Sequence, residues 1–192
     1  MVKTAVLVSG GGTNLQHILD ERGKIIHNAE ISLVISSSSD AYALERARQN
    51  GIPAAVVRDE DILQVVLEEY GIELIVLAGY LTILTEKFTS RWPRRILNVH
   101  PSLIPSFCGK GMYGLKVHEE ALAKGVKVTG ATVHFVNEIP DGGEILFQKA
   151  VEVLPGDTPQ ILQRRVMEQA KWILLPQAVE AVAKEIENER LA

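Results

Sequence analysis

The feature that most constrains this chain is a rhythm. Short, uninterrupted apolar runs alternate with helix-forming stretches through the first half. Thr4 to Val8, Ile31 to Ile35, Ala54 to Val57, Leu74 to Ala78 and Ile96 to His100 read as strands. Asn14 to Glu21, Ala41 to Gln49 and Asp61 to Tyr70 read as the helices between them. Strand starts lie roughly 20–30 residues apart, which suits β–α units with right-handed crossovers. Strands without polar alternation ask for a sheet covered on both faces. The pattern predicts an α/β fold built on a doubly wound, mostly parallel, Rossmann-like sheet.

The second half changes character. Pro101 and Pro105 punctuate a loop in which Gly109, Gly111 and Gly114 keep the backbone free, and a short helix is expected over Val117 to Lys124. Val128 to Val136 and Ile145 to Val153 are long β runs joined by the turn-like Pro140-Asp141-Gly142-Gly143, an antiparallel pair. Pro159 to Glu187 reads as helical, started by Asp157-Thr158-Pro159, with Pro176 ending one helix or kinking it. With no repeat and no Ser- or Pro-rich linker, one domain is the simplest organisation.

Composition narrows the partners. Twenty Lys and Arg against 24 Asp and Glu give a net charge of −4, and 46% of residues are hydrophobic. This globular, mildly acidic chain argues against nucleic-acid and anionic-membrane partners, which favour a basic face. Arg91, Arg94 and Arg95 form the only tight basic cluster and read as solvated loop charge. The longest apolar run, Leu74 to Leu84, is too short to cross a bilayer. The start lacks a signal-peptide cleavage pattern, and the lone Cys108 makes no internal disulfide, so a cytoplasmic location is expected.

Two segments carry chemistry. Ser9-Gly10-Gly11-Gly12-Thr13-Asn14 turns from the first strand into the first helix. Its glycines allow close backbone approach, and the unpaired amides of the helix start seat a phosphate or another anion. The dinucleotide pattern fails because Leu15 stands at the third glycine position, and Gly109-Lys110 is followed by Gly111 rather than the hydroxyl residue of a Walker loop. A ligand-free turn is the plainer alternative. The second segment is Asn98-Val99-His100-Pro101-Ser102. Residues two apart on a strand share a face, so Asn98 and His100 point together. An amide that donates to an oxyanion beside an imidazole that takes a proton from an amine, or gives one back, suits a reaction that develops negative charge on oxygen.

Asp141 is first a turn residue. If it lies near His100, it orients and stabilises the imidazole. His134 on the preceding β run is a further candidate for that pocket, and His118 either approaches it or sits on the surface. His17 and His27 read as surface residues. The histidines show no metal-ligand spacing, so no metal is expected, and Cys108 reads as an incidental loop residue.

Taken together, Ser9-Gly10-Gly11-Gly12-Thr13-Asn14-Leu15-Gln16, Ala78-Gly79-Tyr80, Asn98 through Pro105, Gly130 through Val136, Asp141-Gly142-Gly143 and Gln148 closely resemble the phosphoribosylglycinamide formyltransferase family, in its order and spacing over nearly the whole chain. The resemblance implies formyl transfer from 10-formyltetrahydrofolate, as cosubstrate, to the amine of glycinamide ribonucleotide in purine biosynthesis, with small-molecule partners and a monomer or homodimer. It implies Asn98, His100 and Asp141 as the catalytic trio. Gly11, Gly12, Thr13 and Asn14 match the segment on the ribonucleotide phosphate, with His134 on the substrate side. Leu81, Thr82, Ile83 and Leu84, with Val136, Asn137 and Glu138, match the folate-binding walls. Residues 1–192 then form one formyltransferase domain: 1–100 the phosphate-binding half, 101–192 the folate-binding and catalytic half. A bulky residue at Gly12 is expected mainly to weaken ribonucleotide binding.

Two departures stand out. Thr82 replaces an arginine that some members carry beside the folate. Lys171 stands five residues before Pro176, where members often carry a glutamate that contacts the ribonucleotide, and Glu168 is the other residue able to serve there. The Phe107 to Gly114 loop is longer and richer in glycine than in some members, as a mobile lid would be. The rivals are a methionyl-tRNA formyltransferase-like enzyme, a formyltetrahydrofolate hydrolase-like enzyme and a non-catalytic nucleotide-phosphate sensor. The first usually carries a further RNA-binding domain and the second a regulatory one.

Overall fold

A computed structural model describes residues 1–192. The strands are β1 (Val2–Val8), β2 (Ala29–Ser36), β3 (Ala54–Val56), β4 (Leu74–Leu77), β5 (Ile96–His100), β6 (Val128–Phe135) and β7 (Ile145–Glu152). They form one sheet of seven strands in the order β3-β2-β1-β4-β5-β6-β7. The first five run parallel, whereas β6 is antiparallel to both β5 and β7. The fold is the doubly wound α/β sheet with an antiparallel pair in its C-terminal half. Order reverses between β1 and β4, so the loops leaving those strands flank a crevice at the carboxyl edge.

The strands are apolar because both faces are covered. A cluster of 33 buried residues fills one face, with Val6, Leu97 and Val133 on the sheet and Leu175 and Val179 from the helix above. A second cluster of 14, including Leu7, Ile75 and Phe88, fills the other. The helices are α1 (Thr13–Asp20), α2 (Ala43–Gln49), α3 (Glu60–Glu69), α4 (Glu86–Thr89), α5 (Lys116–Lys124), α6 (Pro159–Val166) and α7 (Trp172–Leu191).

Caps set several helix ends. Asp59 accepts from the N–H groups of Asp61 and Ile62 and starts α3. Thr158 accepts from Ile161 and starts α6, while Asp157 pairs with Arg165 instead. The structure departs from expectation at the C-terminus. Pro176 does not end a helix: α7 runs through it to Leu191, and the irregularity lies upstream as a π-turn at Met167–Lys171. The carbonyl that the proline ring would meet belongs to Trp172, at the seam with that turn, where the ladder is already broken. His17 is half-buried rather than exposed, because Trp172 stacks on it with ring centroids 3.9 Å apart. His27 is exposed. Arg94 and Arg95 are not free charges: they pair with Glu144 and Glu189. No helix is long and apolar enough to cross a membrane.

Candidate active site

The site lies at the carboxyl edge of the sheet. β5 delivers Asn98 and His100 to one face, and Asn98 stands opposite His134 in the β5–β6 register. The chain then leaves β6 and turns back through Pro140-Asp141-Gly142-Gly143, where Asp141 adopts a left-handed backbone with φ 56°. Both glycines make that turn possible. A Cβ on Gly143 would lie 1.7 Å from the Phe135 carbonyl oxygen, and one on Gly142 would lie 2.6 Å from Ile139. The tight return places Asp141 against Asn98 and His100, residues more than 40 positions earlier in sequence.

The polar groups form one connected set. His100 Nε2 lies 2.8 Å from the Phe107 carbonyl, so this nitrogen carries the ring proton and donates it there. His100 Nδ1 faces Asp141 Oδ2 at 3.4 Å. Asp141 Oδ2 also accepts from the Gly109 N–H at 2.9 Å. His134 Nδ1 donates to the Phe135 carbonyl at 2.8 Å, which leaves Nε2 to accept from Asn98 Nδ2 at 3.2 Å. The same Nδ2 reaches Asp141 Oδ1 at 3.4 Å, a long contact that a substrate oxygen can replace.

Burial and charge divide the titrations. Burial pulls His100 below the ordinary imidazole range and outweighs the opposing pull of Asp141 and the Phe107 carbonyl. Burial alone would push Asp141 up, but its contacts with His134, His100 and the Gly109 N–H together hold it below the usual carboxylate range. The site therefore holds a neutral imidazole beside an ionised carboxylate. Thr132 fixes the segment after His100. Its hydroxyl donates to the Ser102 carbonyl at 2.7 Å and accepts from the Ile104 N–H at 3.1 Å and from Gln148 at 3.0 Å. The sequence reading missed this latch: a lone threonine in a β run carries no signal of its partners.

A cavity of about 280 Å³ opens over this set, lined by Asn98, His100, Asp141, Gly79 to Ile83, the Gly109 to Gly114 stretch, His118, Gln163, Met167 and Lys171. His118 is buried in its wall, not on the surface. A narrower cleft of about 90 Å³ adjoins it, between Thr82 to Leu84 on one side and Val136 to Asp141 on the other, with His134 at its base. The two expected folate walls thus face each other, with Leu81 on the larger cavity only. Leu84 is buried in the core as well as lining the cleft. Glu168 does not line the cavity and pairs with Arg164 on the solvent side, so Lys171 alone of the two candidates faces the site. Cys108 is half-buried, with burial pushing its thiol up and Asp141 adding to the push. No group of three His, Cys, Asp or Glu side chains is arranged to hold a metal ion.

The glycine turn borders the cavity without lining it. Ser9 links the two, its N–H donating to the Gly79 carbonyl and its hydroxyl accepting from the Leu81 N–H. The turn carbonyls are engaged from α2: Gly10 by the Ala43 N–H and Gly11 by Arg46. The N–H groups of Gly11 and Gly12 have no partner within the chain. Thr13 is exposed, while Asn14 is buried with its Oδ1 unpartnered. Gly12 corrects an expectation. It has φ 72°, and a Cβ there would lie 2.6 Å from Ala43, so bulk at Gly12 strikes the packing of α2 before it reaches any ligand. Around Gly11 a Cβ would meet nothing.

An open α/β sheet whose carboxyl edge gathers an amide, an imidazole and a carboxylate beside two joined clefts defines a group-transfer site of the acyl type. Residues 2–179 match the formyl transferase family model, and the chain belongs to that family. It is 43% identical over 178 residues to phosphoribosylglycinamide formyltransferase of Haemophilus influenzae, covering 88% of this chain and 82% of that one. It is 40% identical over 176 residues to the chloroplastic phosphoribosylglycinamide formyltransferase of Arabidopsis thaliana, covering 86% of this chain but 60% of the relative. It spans only 18% of the trifunctional purine biosynthetic protein adenosine-3 of Gallus gallus, at 43% identity over 95% of its own length. Among solved structures, glycinamide ribonucleotide transformylase 1 from Symbiobacterium toebii superposes with a TM-score of 0.88 at 40% identity, covering 96% of this chain and 89% of that one.

Proposed function

We propose that this chain transfers a formyl group from 10-formyltetrahydrofolate to the amine of glycinamide ribonucleotide; its relatives are named for formyl transfer to this acceptor, and the folate donor is what the family resemblance implies. The observation that carries the reading is the meeting of Asn98, His100 and Asp141 at the mouth of the two joined clefts. The folate lies in the cleft between Thr82 to Leu84 and Val136 to Asp141, with Leu81 at its rim. The ribonucleotide phosphate sits on the free amides of Gly11 and Gly12, beside Thr13 and Asn14. Residues 1–192 act as one domain: 1–100 hold the phosphate end, and 101–192 complete the folate and catalytic side that Leu81 to Leu84, Asn98 and His100 enter from the first half.

The amine attacks the formyl carbon and forms a C–N bond as the carbonyl oxygen takes up negative charge. Asn98 Nδ2 exchanges its long contact with Asp141 for that oxygen, a donor typically worth about 2.7–4 kcal/mol of barrier. His100, neutral at the start, takes the amine proton at Nδ1 and, so charged, turns its Nε2–H from the Phe107 carbonyl to the oxyanion. Asp141 stabilises that charged imidazole and, with a bound water, passes the proton on to the folate nitrogen as the old C–N bond breaks. His134 holds the Asn98 amide in place. Alignment of two bound reactants contributes much of the remaining acceleration.

The test is direct. Mixing the chain with 10-formyltetrahydrofolate and glycinamide ribonucleotide is expected to change the folate absorbance only when both are present. Folate release without the ribonucleotide marks a hydrolase. Ribonucleotide binding without turnover marks a phosphate sensor.

A further inference from the structure

Two cations line the cavity without a part in the proposed reaction: Lys110, exposed on the loop, and Lys171 on the wall. Lys171, on the π-turn Met167–Lys171, lines the wall with the catalytic groups, yet it has no ion pair and no hydrogen bond. Its neighbours offer no compensation. Asp141 is the only carboxylate lining the cavity, and its oxygens are engaged by Gly109, Asn98 and the imidazoles. Glu168, on the same turn, pairs with Arg164 outside. The α5 wall presents His118, whose Nδ1 is buried without a partner. β5 presents His100, β6 presents His134 deeper in the adjoining cleft, and the loop adds Cys108 nearby and the exposed Lys110.

We propose that Lys171 is a positioning residue that acts through charge: its unpaired ammonium discourages a second cation in the cavity, so that His100 and an incoming amine both present lone pairs. An amine attacks only as the free base, and a cation beside it favours that form. The same charge bears on the two nearest imidazoles, where it adds to burial in keeping His100 and His118 unprotonated. Asp141, 3.4 Å from His100 Nδ1, opposes it. Loss of solvent pulls Lys171 itself down to about 8, which sets the upper limit of its influence: above that pH the ammonium is gone.

This inference rests on the proposed reaction for the amine, but its claim about His100 does not. The experiment therefore has two arms. In the first, NMR titration of the His100 ring in the free protein is compared among wild type, Lys171→Met, Lys171→Arg and Lys171→Glu. The midpoint is expected to rise by about half a pH unit in the methionine variant, further in the glutamate variant, and to stay put in the arginine variant. In the second, kcat/KM for the ribonucleotide in Lys171→Met is expected to fall roughly threefold at pH 6 and to match wild type at pH 9. His100 midpoints that coincide in wild type and Lys171→Met overturn the proposal, as does an equal loss at both pH values. Absence of turnover in wild type sinks the formyl-transfer reading while leaving the NMR arm to judge Lys171.

Discussion

Two turns at the carboxyl edge of the sheet use glycine for opposite ends. The turn after β1 keeps Gly12 because a side chain there would enter α2, and it leaves the backbone amides of Gly11 and Gly12 unpartnered. The turn before β7 keeps Gly142 and Gly143 so that the chain can fold back on itself and present a side chain, Asp141, to groups on β5. On the proposed function, the first turn offers a ligand main chain and the second offers it chemistry. That reading makes binding and catalysis separable, and substitutions on the two sides should fail in different ways.

The sharpest break is expected on the catalytic side. His100→Ala and Asp141→Asn are each expected to lower kcat by about 10²–10⁴-fold, the usual range for a proton-transfer group. Ribonucleotide affinity measured by calorimetry should stay within a few-fold. Near-normal kcat in His100→Ala would contradict its assigned role. The next effect lies on the binding side and concerns stability. Gly12→Val combines a positive φ with a clash at Ala43, and a loss of about 2–4 kcal/mol is expected in urea unfolding. Gly11→Ala meets open space, so its stability should move by less than about 0.5 kcal/mol while ribonucleotide KM rises. Equal destabilisation by the two substitutions would erase the distinction within this turn.

How much of this was legible follows from the range of each interaction. Asn98 and His100 share a face by strand geometry alone, so their pairing could be read two residues apart. The glycine turn could be read because its residues are contiguous. From its local sequence Asp141 reads first as a turn acid, and the family resemblance groups it with Asn98 and His100, since their meeting depends on β6 running antiparallel to β5 and on a left-handed backbone at Asp141 itself. The π-turn that sets Lys171 on the cavity wall was not legible either. Pro176 drew the expected irregularity to itself, whereas the hydrogen-bond ladder breaks one turn earlier. Thr132 acts by holding other groups, a role with no local pattern, whereas His134 reads as a pocket candidate without showing that it holds Asn98.

Acid sharpens the comparison further. Burial, with Lys171 and His100 nearby, pulls His118 down to about 4. An unfolded chain binds the proton near the ordinary histidine value of about 6.5, which the folded chain refuses. Stability associated with neutral His118 is thus complete above that value and is lost progressively as pH falls toward about 4. One such group sets a slope of at most about 1.4 kcal/mol per pH unit. His118→Gln is expected to make the decline in urea midpoint between pH 7 and pH 5 shallower. A decline as steep as in wild type would remove His118 from the account of acid sensitivity.

The smallest effect is expected at Cys108, which tests whether the loop over the catalytic side contributes chemistry or only main-chain contacts. Its thiol donates to the Pro105 carbonyl at 3.2 Å, and both burial and Asp141 push it toward the protonated form. A thiol so held is a poor nucleophile at neutral pH. Its neighbours Phe107 and Gly109 reach His100 and Asp141 through backbone groups, which a side-chain change leaves intact. Cys108→Ser should therefore retain kcat within about twofold, and iodoacetamide should modify the wild-type thiol slowly at pH 7. Loss of turnover in the serine variant, with folding unchanged, would point instead to a covalent step through sulfur and would move the chemistry off His100.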